Sequence, residues 1–193
     1  GVVFPVITCL QMVGNVTLPA FTRKLGKKGT FILFNMFCIA SLLLLHFGPG
    51  GNVPFLIGCS VVFGFGNAGS SIPYGFMCDS IEYGDYKYGV RDDALAFSMM
   101  SFGVKCATAI TGAAGVLLIN AVGYVPNAPQ TAAAATGISF IVNIVPAILI
   151  AISVLVVLFC YRLSEDKMAI IAEKMELRRA GKATREEQLK EFN

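Results

Sequence analysis

Residues 79–112 read DSIEYGDYKYGVRDDALAFSMMSFGVKCATAITG, and two halves of opposite character meet inside this stretch. The first half holds Asp79, Glu82, Asp85, Asp92 and Asp93 together with Lys87 and Arg91. The second half is an apolar run of helical composition with a single cation, Lys105. On a helix, Lys105 lies roughly 18 Å from Asp93 and roughly 22 Å from Asn120. A lysine stem reaches about 6 Å, so the ammonium cannot snorkel from there to either membrane surface. Leaving it in hydrocarbon costs about 2.5–3.5 kcal/mol on insertion scales. Ser98, Ser101, Lys105, Thr108 and Gly112 recur at helical steps and therefore share one face. The remaining surface is mostly Phe, Met, Val, Ile, Cys and Ala. A wet stripe on a greasy helix predicts a water-filled or ligand-filled interior. The blander alternative is a lysine bonded to polar groups of neighbouring helices, holding the bundle together.

The surroundings of this stretch fix the class of protein. The 193 residues are 55% hydrophobic and 14% charged, with a mean hydropathy of +0.70. A soluble domain carries about 25% charged residues, so an ordinary soluble fold is excluded. Five apolar runs, at about 1–20, 30–47, 54–78, 94–119 and 137–161, are long enough to cross about 30 Å of hydrocarbon. The fold class is therefore all-α, a polytopic membrane helix bundle over 1–162 with a helical tail over 163–193. An odd number of spans, and an opening inside an apolar run with no basic flank, suggest a piece of a longer chain. Fourteen of the fifteen Lys and Arg residues fall on one side of the five spans, Lys105 being the exception. The positive-inside rule assigns that side, with the tail, to the cytoplasm. Every Asp and Glu lies on the same side, so no carboxylate sits inside a span. If a cation is bound within the membrane by carboxylates, this chain does not supply them.

Other features receive plainer readings. Cys9, Cys38, Cys59, Cys78, Cys106 and Cys160 lie in or at the ends of apolar runs without metal-ligand spacing, as small packing residues. Thr8, Gln11 and Asn15 share a helix face, as interhelical hydrogen-bonding groups or as a polar cavity wall. His46 falls near the outer end of the second span, where an interfacial side chain is more ordinary than a proton relay. Gly64-Phe65-Gly66-Asn67-Ala68-Gly69 matches G-x-G-x-x-G, but no strand precedes it and no βαβ frame surrounds it. It reads as close helix packing, and Pro73 after it predicts a broken or flexible helix. No nucleic-acid partner is expected. In the tail, Ser164 with Glu165 and Asp166 reads as a helix start, and Met168, Ile171 and Met175 form one apolar stripe. Thr184 and Glu187 read as the capping box of a last short helix.

The polar half of the opening stretch permits two readings besides a solvated loop. Asp79, Glu82, Asp85 and Arg91, with Arg23 on another loop of the same side, can form a gate of charge pairs that opens and closes. Alternatively, the five carboxylates hold divalent metal ions, as in membrane enzymes that transfer lipid head groups. A Tyr-Gly turn interrupts them, however, and no second acidic cluster follows within the membrane.

The pattern D-x-x-E-Y-G-D-x-K-x-G-x-R from Asp79, then Phe97-Ser98, Lys105, and G-Y-V-P-N from Gly123 to Asn127, resembles the glycoside–pentoside–hexuronide:cation symporters. The melibiose carrier is the best-known member, and the family belongs to the major facilitator superfamily. The resemblance runs from the first span to about Arg162. It implies twelve spans in two halves, with this chain as helices VIII to XII, and a missing N-terminal half as its partner. It implies a sugar or glycoside substrate moved with Na⁺ or H⁺ across the cell's inner membrane, no other cofactor, and no catalysis. Lys105 matches the family's membrane lysine, and Ser101 and Val104 match positions lining the sugar cavity. Met100 stands where the melibiose carrier has a polar residue, so a galactoside preference does not carry over. Asp79, Glu82 and Arg91 match the family's cytoplasmic charge network. The loop Arg23-Lys24-Leu25-Gly26-Lys27-Lys28 resembles the superfamily's basic loop without its usual aspartate. With the stripe, the pathway residues are Lys105, Ser101, Val104, Thr108, Ser98 and Met100.

Overall fold

A computed structural model describes residues 3–49, 51–126, 130–161, 163 and 165–180. The Ser164 cap and the Thr184–Glu187 box lie outside the described residues. So does Asn127 of the Gly123–Asn127 motif. Within the described residues the architecture is all-α. Four helices are long and apolar enough to span a membrane, and the first of them is two spans.

That first helix, α1 (Val3–Phe47), breaks at Gly26, whose backbone takes φ 72° and ψ 166°. Only glycine adopts this conformation without strain. The chain reverses there. Phe21 and Phe34 stand in edge-to-face contact with ring centroids 5.4 Å apart, whereas an unbroken helix would separate them by roughly 20 Å along its axis. The first two apolar runs are thus two packed arms, 3–25 and 27–47. The second arm is the centre of the bundle. Phe31, Phe34, Cys38 and Leu42 are buried along it, Phe34 stacks on Phe65 at 5.1 Å, and Ser41 Oγ donates to the Cys59 carbonyl at 2.6 Å.

The third apolar run folds as α2 (Val53–Asn67), a 3-10 turn (Ala68–Ser71) and α3 (Ile72–Tyr88). The helix changes character at the glycine string, and Pro73 opens α3 in its first turn, where its missing N–H is no loss. The glycines serve packing. A Cβ on Gly64 would stand 2.6 Å from the Ile7 carbonyl oxygen, and one on Gly66 2.8 Å from that of Phe34. Asn15 accepts a hydrogen bond from Ser71 at 3.0 Å, tying the first arm to the same turn.

One boundary differs from the sequence expectation. Asp79, Glu82 and Asp85 are not on a loop; α3 carries all three and ends only at Gly89, a left-handed cap with φ 70°. The helix continues past the apolar run and through Gly84, and the Asp79 and Asp85 charges find cationic partners in Lys27 and Arg178 on neighbouring helices. The connection to α4 (Asp93–Ala121) is short, and Asp92 caps α4 by accepting from the Leu95 N–H at 3.0 Å.

The last span is α5 (Ala132–Ser139), a π-helical segment (Phe140–Ile144) and α6 (Val145–Cys160). The wider turn precedes Pro146, whose ring would collide with the carbonyl four residues earlier in a regular helix. Asn143 Nδ2 donates to the Ser139 carbonyl at 2.9 Å, satisfying an acceptor at the irregularity. All six cysteines are free thiols.

The tail helix α7 (Glu165–Arg179) lies against α3. Its Met168, Ile171 and Met175 form a buried cluster with Tyr86, flanked by Tyr83 and Leu163. Lys27, Lys28, Asp79, Asp85, Tyr161 and Arg178 meet at this end of the bundle, which we call the basic end.

Candidate functional site

Two polar features stand out on this apolar frame, one partway along α4 and one at the basic end. The helix α4 has no buried residue at all. Its 29 residues meet the rest of the described chain chiefly along α3 and the π-helical segment. Lys105 is exposed on it. Together with Phe97, Met100, Ser101 and Val104 it lines a half-open cavity of about 130 Å³, closed on the α3 side by Tyr74. Four of the six residues expected on a pathway thus border one cavity: Lys105, Ser101, Val104 and Met100. Ser98 and Thr108 are exposed on α4 but outside that lining, and each hydroxyl donates to its own helix. Ser98 Oγ reaches the Leu95 carbonyl and Thr108 Oγ1 the Val104 carbonyl, both at 2.8 Å. Their oxygens keep the capacity to accept. Among the described residues the Lys105 ammonium has no ion-pair partner.

Tyr74 was missed by sequence reasoning. It directly follows Pro73 in a run read only for its glycines, and nothing in the sequence aligns it with a residue 31 positions later. The hairpin of α3 and α4 does so. Tyr74 is roughly 21 Å from Tyr88 along α3, and Lys105 is roughly 18 Å from Asp93 along α4, so the two groups stand at matching depths from the shared connection.

At the basic end, Asp79 is buried at 5% exposure. It accepts from Lys27 Nζ at 2.5 Å and from the Tyr161 hydroxyl at 2.7 Å. The adjacent Lys28 donates to the carbonyls of Leu158 and Tyr161, at 2.8 and 3.0 Å. A cation on the unsatisfied carbonyls of a helix C-terminus is favourable in both hydrogen bonding and dipole terms. Two lysines directly after the Gly26 break therefore clasp α3 and α6 together. Asp85 is buried and pairs with Arg178 Nη2 of α7 at 2.5 Å, while its carbonyl accepts from Nη1 at 3.4 Å. Arg91 is exposed and donates through Nε to Asp93 at 2.9 Å, a bond that raises its already high pKa further. Glu82 is half-buried on α3, and Arg23 is exposed on the first arm.

The five gate candidates do not form one cluster. Asp79 and Asp85 are engaged by Lys27 and Arg178, neither of which was among those candidates. The signal for Lys27 was its place beside the one glycine that reverses the chain. For Arg178 it was a position one helical turn from Met175 on the tail's apolar stripe. The same geometry speaks against the metal-holding alternative. Its carboxylates are distributed over α3, the connection and α4, with Asp79, Asp85 and Asp93 each held by a cation. Among the described residues no group of three or more potential metal ligands gathers.

On the opposite end, His46 Nδ1 lies 3.2 Å from Ser139 Oγ, and the ring packs against Phe47 and Phe140. This joins the second arm to the last span.

Comparison with known proteins agrees with this frame. The family model described as MFS/sugar transport protein matches residues 1–165. A Bacillus subtilis protein named uncharacterized symporter YjmB is 32% identical over 169 residues, covering 86% of this chain and 36% of its own length. The glucuronide carrier protein homolog of Escherichia coli is 26% identical over 182 residues, covering 91% of this chain and 40% of its own. The isoprimeverose transporter of Lactiplantibacillus pentosus is 29% identical over 167 residues, 85% of this chain and 34% of its own. The chain thus spans between 34% and 40% of the length of these relatives, and their names are those of membrane transporters, not enzymes. A multi-pass helix bundle with these matches is part of a major-facilitator fold, and the chain belongs to the MFS/sugar transport family, among the melibiose-carrier-like symporters.

Proposed function

We propose that this chain is part of a secondary active transporter that couples movement of a sugar or glycoside to Na⁺ or H⁺. The two halves of the complete carrier would rock about a site near the membrane midplane. The observation that carries this reading is the Lys105 ammonium bordering a cavity partway along the least covered helix. An unpaired cation at that depth is costly in lipid, and it becomes tolerable beside a hydrated path or a counter-charge. The names of the relatives, a glucuronide carrier homolog and an isoprimeverose transporter among them, support a glycoside or sugar as the substrate.

In this mechanism Lys105 keeps the interior polar and acts electrostatically on carboxylates of the N-terminal half, which supplies the coupling-ion site. Ser101, with Val104 and Met100 beside it, faces the substrate, while Ser98 and Thr108 extend the wet face along α4. The basic end is the cytoplasmic side by the positive-inside rule. Of the gate residues there, Glu82, Arg91 and Arg23 would change partners as the carrier switches, while Asp79 and Asp85 stay engaged by Lys27 and Arg178. Replacing Lys105→Val in the complete carrier is expected to abolish gradient-driven sugar uptake while membrane insertion stays normal. Near-normal coupled uptake by that variant would overturn the assignment.

A further inference from the structure

We infer that Tyr74 is a substrate-contacting residue of this carrier, an aromatic platform for one face of a sugar ring; the inference rests on the transport reading above. Three observations carry it. Tyr74 forms the α3 wall of the cavity whose α4 wall holds Lys105 and Ser101. Its side chain is half exposed, and among the described residues its phenol oxygen has no hydrogen-bond partner. It also stands at the same depth as Lys105, where no membrane surface is within reach of the hydroxyl.

The lining is two-sided in character. Phe97, Met100 and Val104 are apolar, while Ser101, Lys105 and the Tyr74 hydroxyl are polar. A pyranose or furanose ring has the matching character, with C–H groups on one face and hydroxyls around its rim. Its C–H face can lie on the electron-rich ring of Tyr74 as other aromatic contacts do. Its rim hydroxyls can then reach Ser101 and the phenol.

The test uses the complete carrier in membrane vesicles with an imposed Na⁺ or H⁺ gradient and a panel of labelled pentoses, hexoses and their glycosides. For whichever sugar the unmodified carrier moves, Tyr74→Leu is expected to raise KM roughly three- to ten-fold, the range of one aromatic contact, with little change in the maximal rate. Tyr74→Phe keeps the ring and loses only the phenol's hydrogen bond, so it is expected to raise KM by less than the leucine variant does. Independently, alkylation of a Tyr74→Cys variant by a hydrophilic maleimide is expected to slow when that sugar is present. An unchanged KM in the leucine variant, or alkylation indifferent to sugar, overturns the role of Tyr74 and leaves the transport reading intact. If the unmodified carrier moves no member of the panel, the transport reading itself fails.

Discussion

At the scale of single residues, the sharpest contrast is between two lysines. Lys105 stands without an ion pair among the described residues, whereas Lys27 is held against the buried Asp79. Removing one partner of a buried pair leaves an uncompensated charge, a loss of up to about 3–5 kcal/mol. Lys27 retains one-third exposure at its side chain, which discounts that figure, so Lys27→Met is expected to destabilise the folded carrier by about 1–3 kcal/mol. The double change Lys27→Met with Asp79→Leu is expected to recover most of the loss. Thermal unfolding of the purified carrier in detergent measures both, and equal loss in the single and double variants would refute the pairing. Lys105→Val should show the opposite signature, with transport lost and stability kept.

At the scale of elements, glycines sort by what surrounds them. A Cβ at Gly66 meets the Phe34 carbonyl oxygen, the Cys38 sulfur and the Cys38 backbone nitrogen within 3.0 Å, while one at Gly112 meets nothing within 4 Å. Gly66→Ala is therefore expected to cost about 1–3 kcal/mol through forced separation of α2 from the second arm. Gly112→Ala is expected to be neutral or to gain up to about 1 kcal/mol of helix propensity. Unfolding midpoints of the two variants in the same detergent decide this; similar values would mean that the glycine string is not a packing device. The tail helix is held by an apolar cluster and by the Arg178–Asp85 ion pair. Ile171→Asp places a charge at a site with 0% exposure and is expected to release α7, seen as faster proteolysis within 165–180. A cleavage rate equal to the parent's would show that the cluster does not hold the tail.

At the scale of the whole molecule, α4 decides how the chain is used. In the proposed carrier this 29-residue apolar helix with no buried side chain would face lipid on one side and the N-terminal half on another, two surroundings that wet it differently. On the transport reading, single cysteines at Ser98, Ser101 and Thr108 in the complete carrier are expected to react with a hydrophilic maleimide several-fold faster than cysteines at Phe102 or Ile110. Uniform reactivity around the helix would remove the hydrated path. The clasp of Lys27, Lys28, Asp79 and Tyr161 joins the second arm, α3 and α6 at the basic end. On the proposed mechanism, those three elements move as one body and leave Glu82, Arg91 and Arg23 to change partners.

Hydropathy alone was enough to establish the class, because a membrane leaves few other options for long apolar runs. That Ser98, Ser101, Lys105 and Thr108 share one face was equally legible, since helical periodicity places residues three and four apart on one face whatever surrounds them. The stripe Met168, Ile171 and Met175 was legible for the same reason. The partners were not legible. Which cation meets Asp79, which aromatic faces Lys105 and what the tail stripe covers depend on residues 31 to 93 positions distant. Charge and hydropathy patterns carry no distance information over such separations. The reversal at Gly26, the continuation of α3 to Tyr88 and the short turn into α4 brought those groups together, and only the packed helices could decide that.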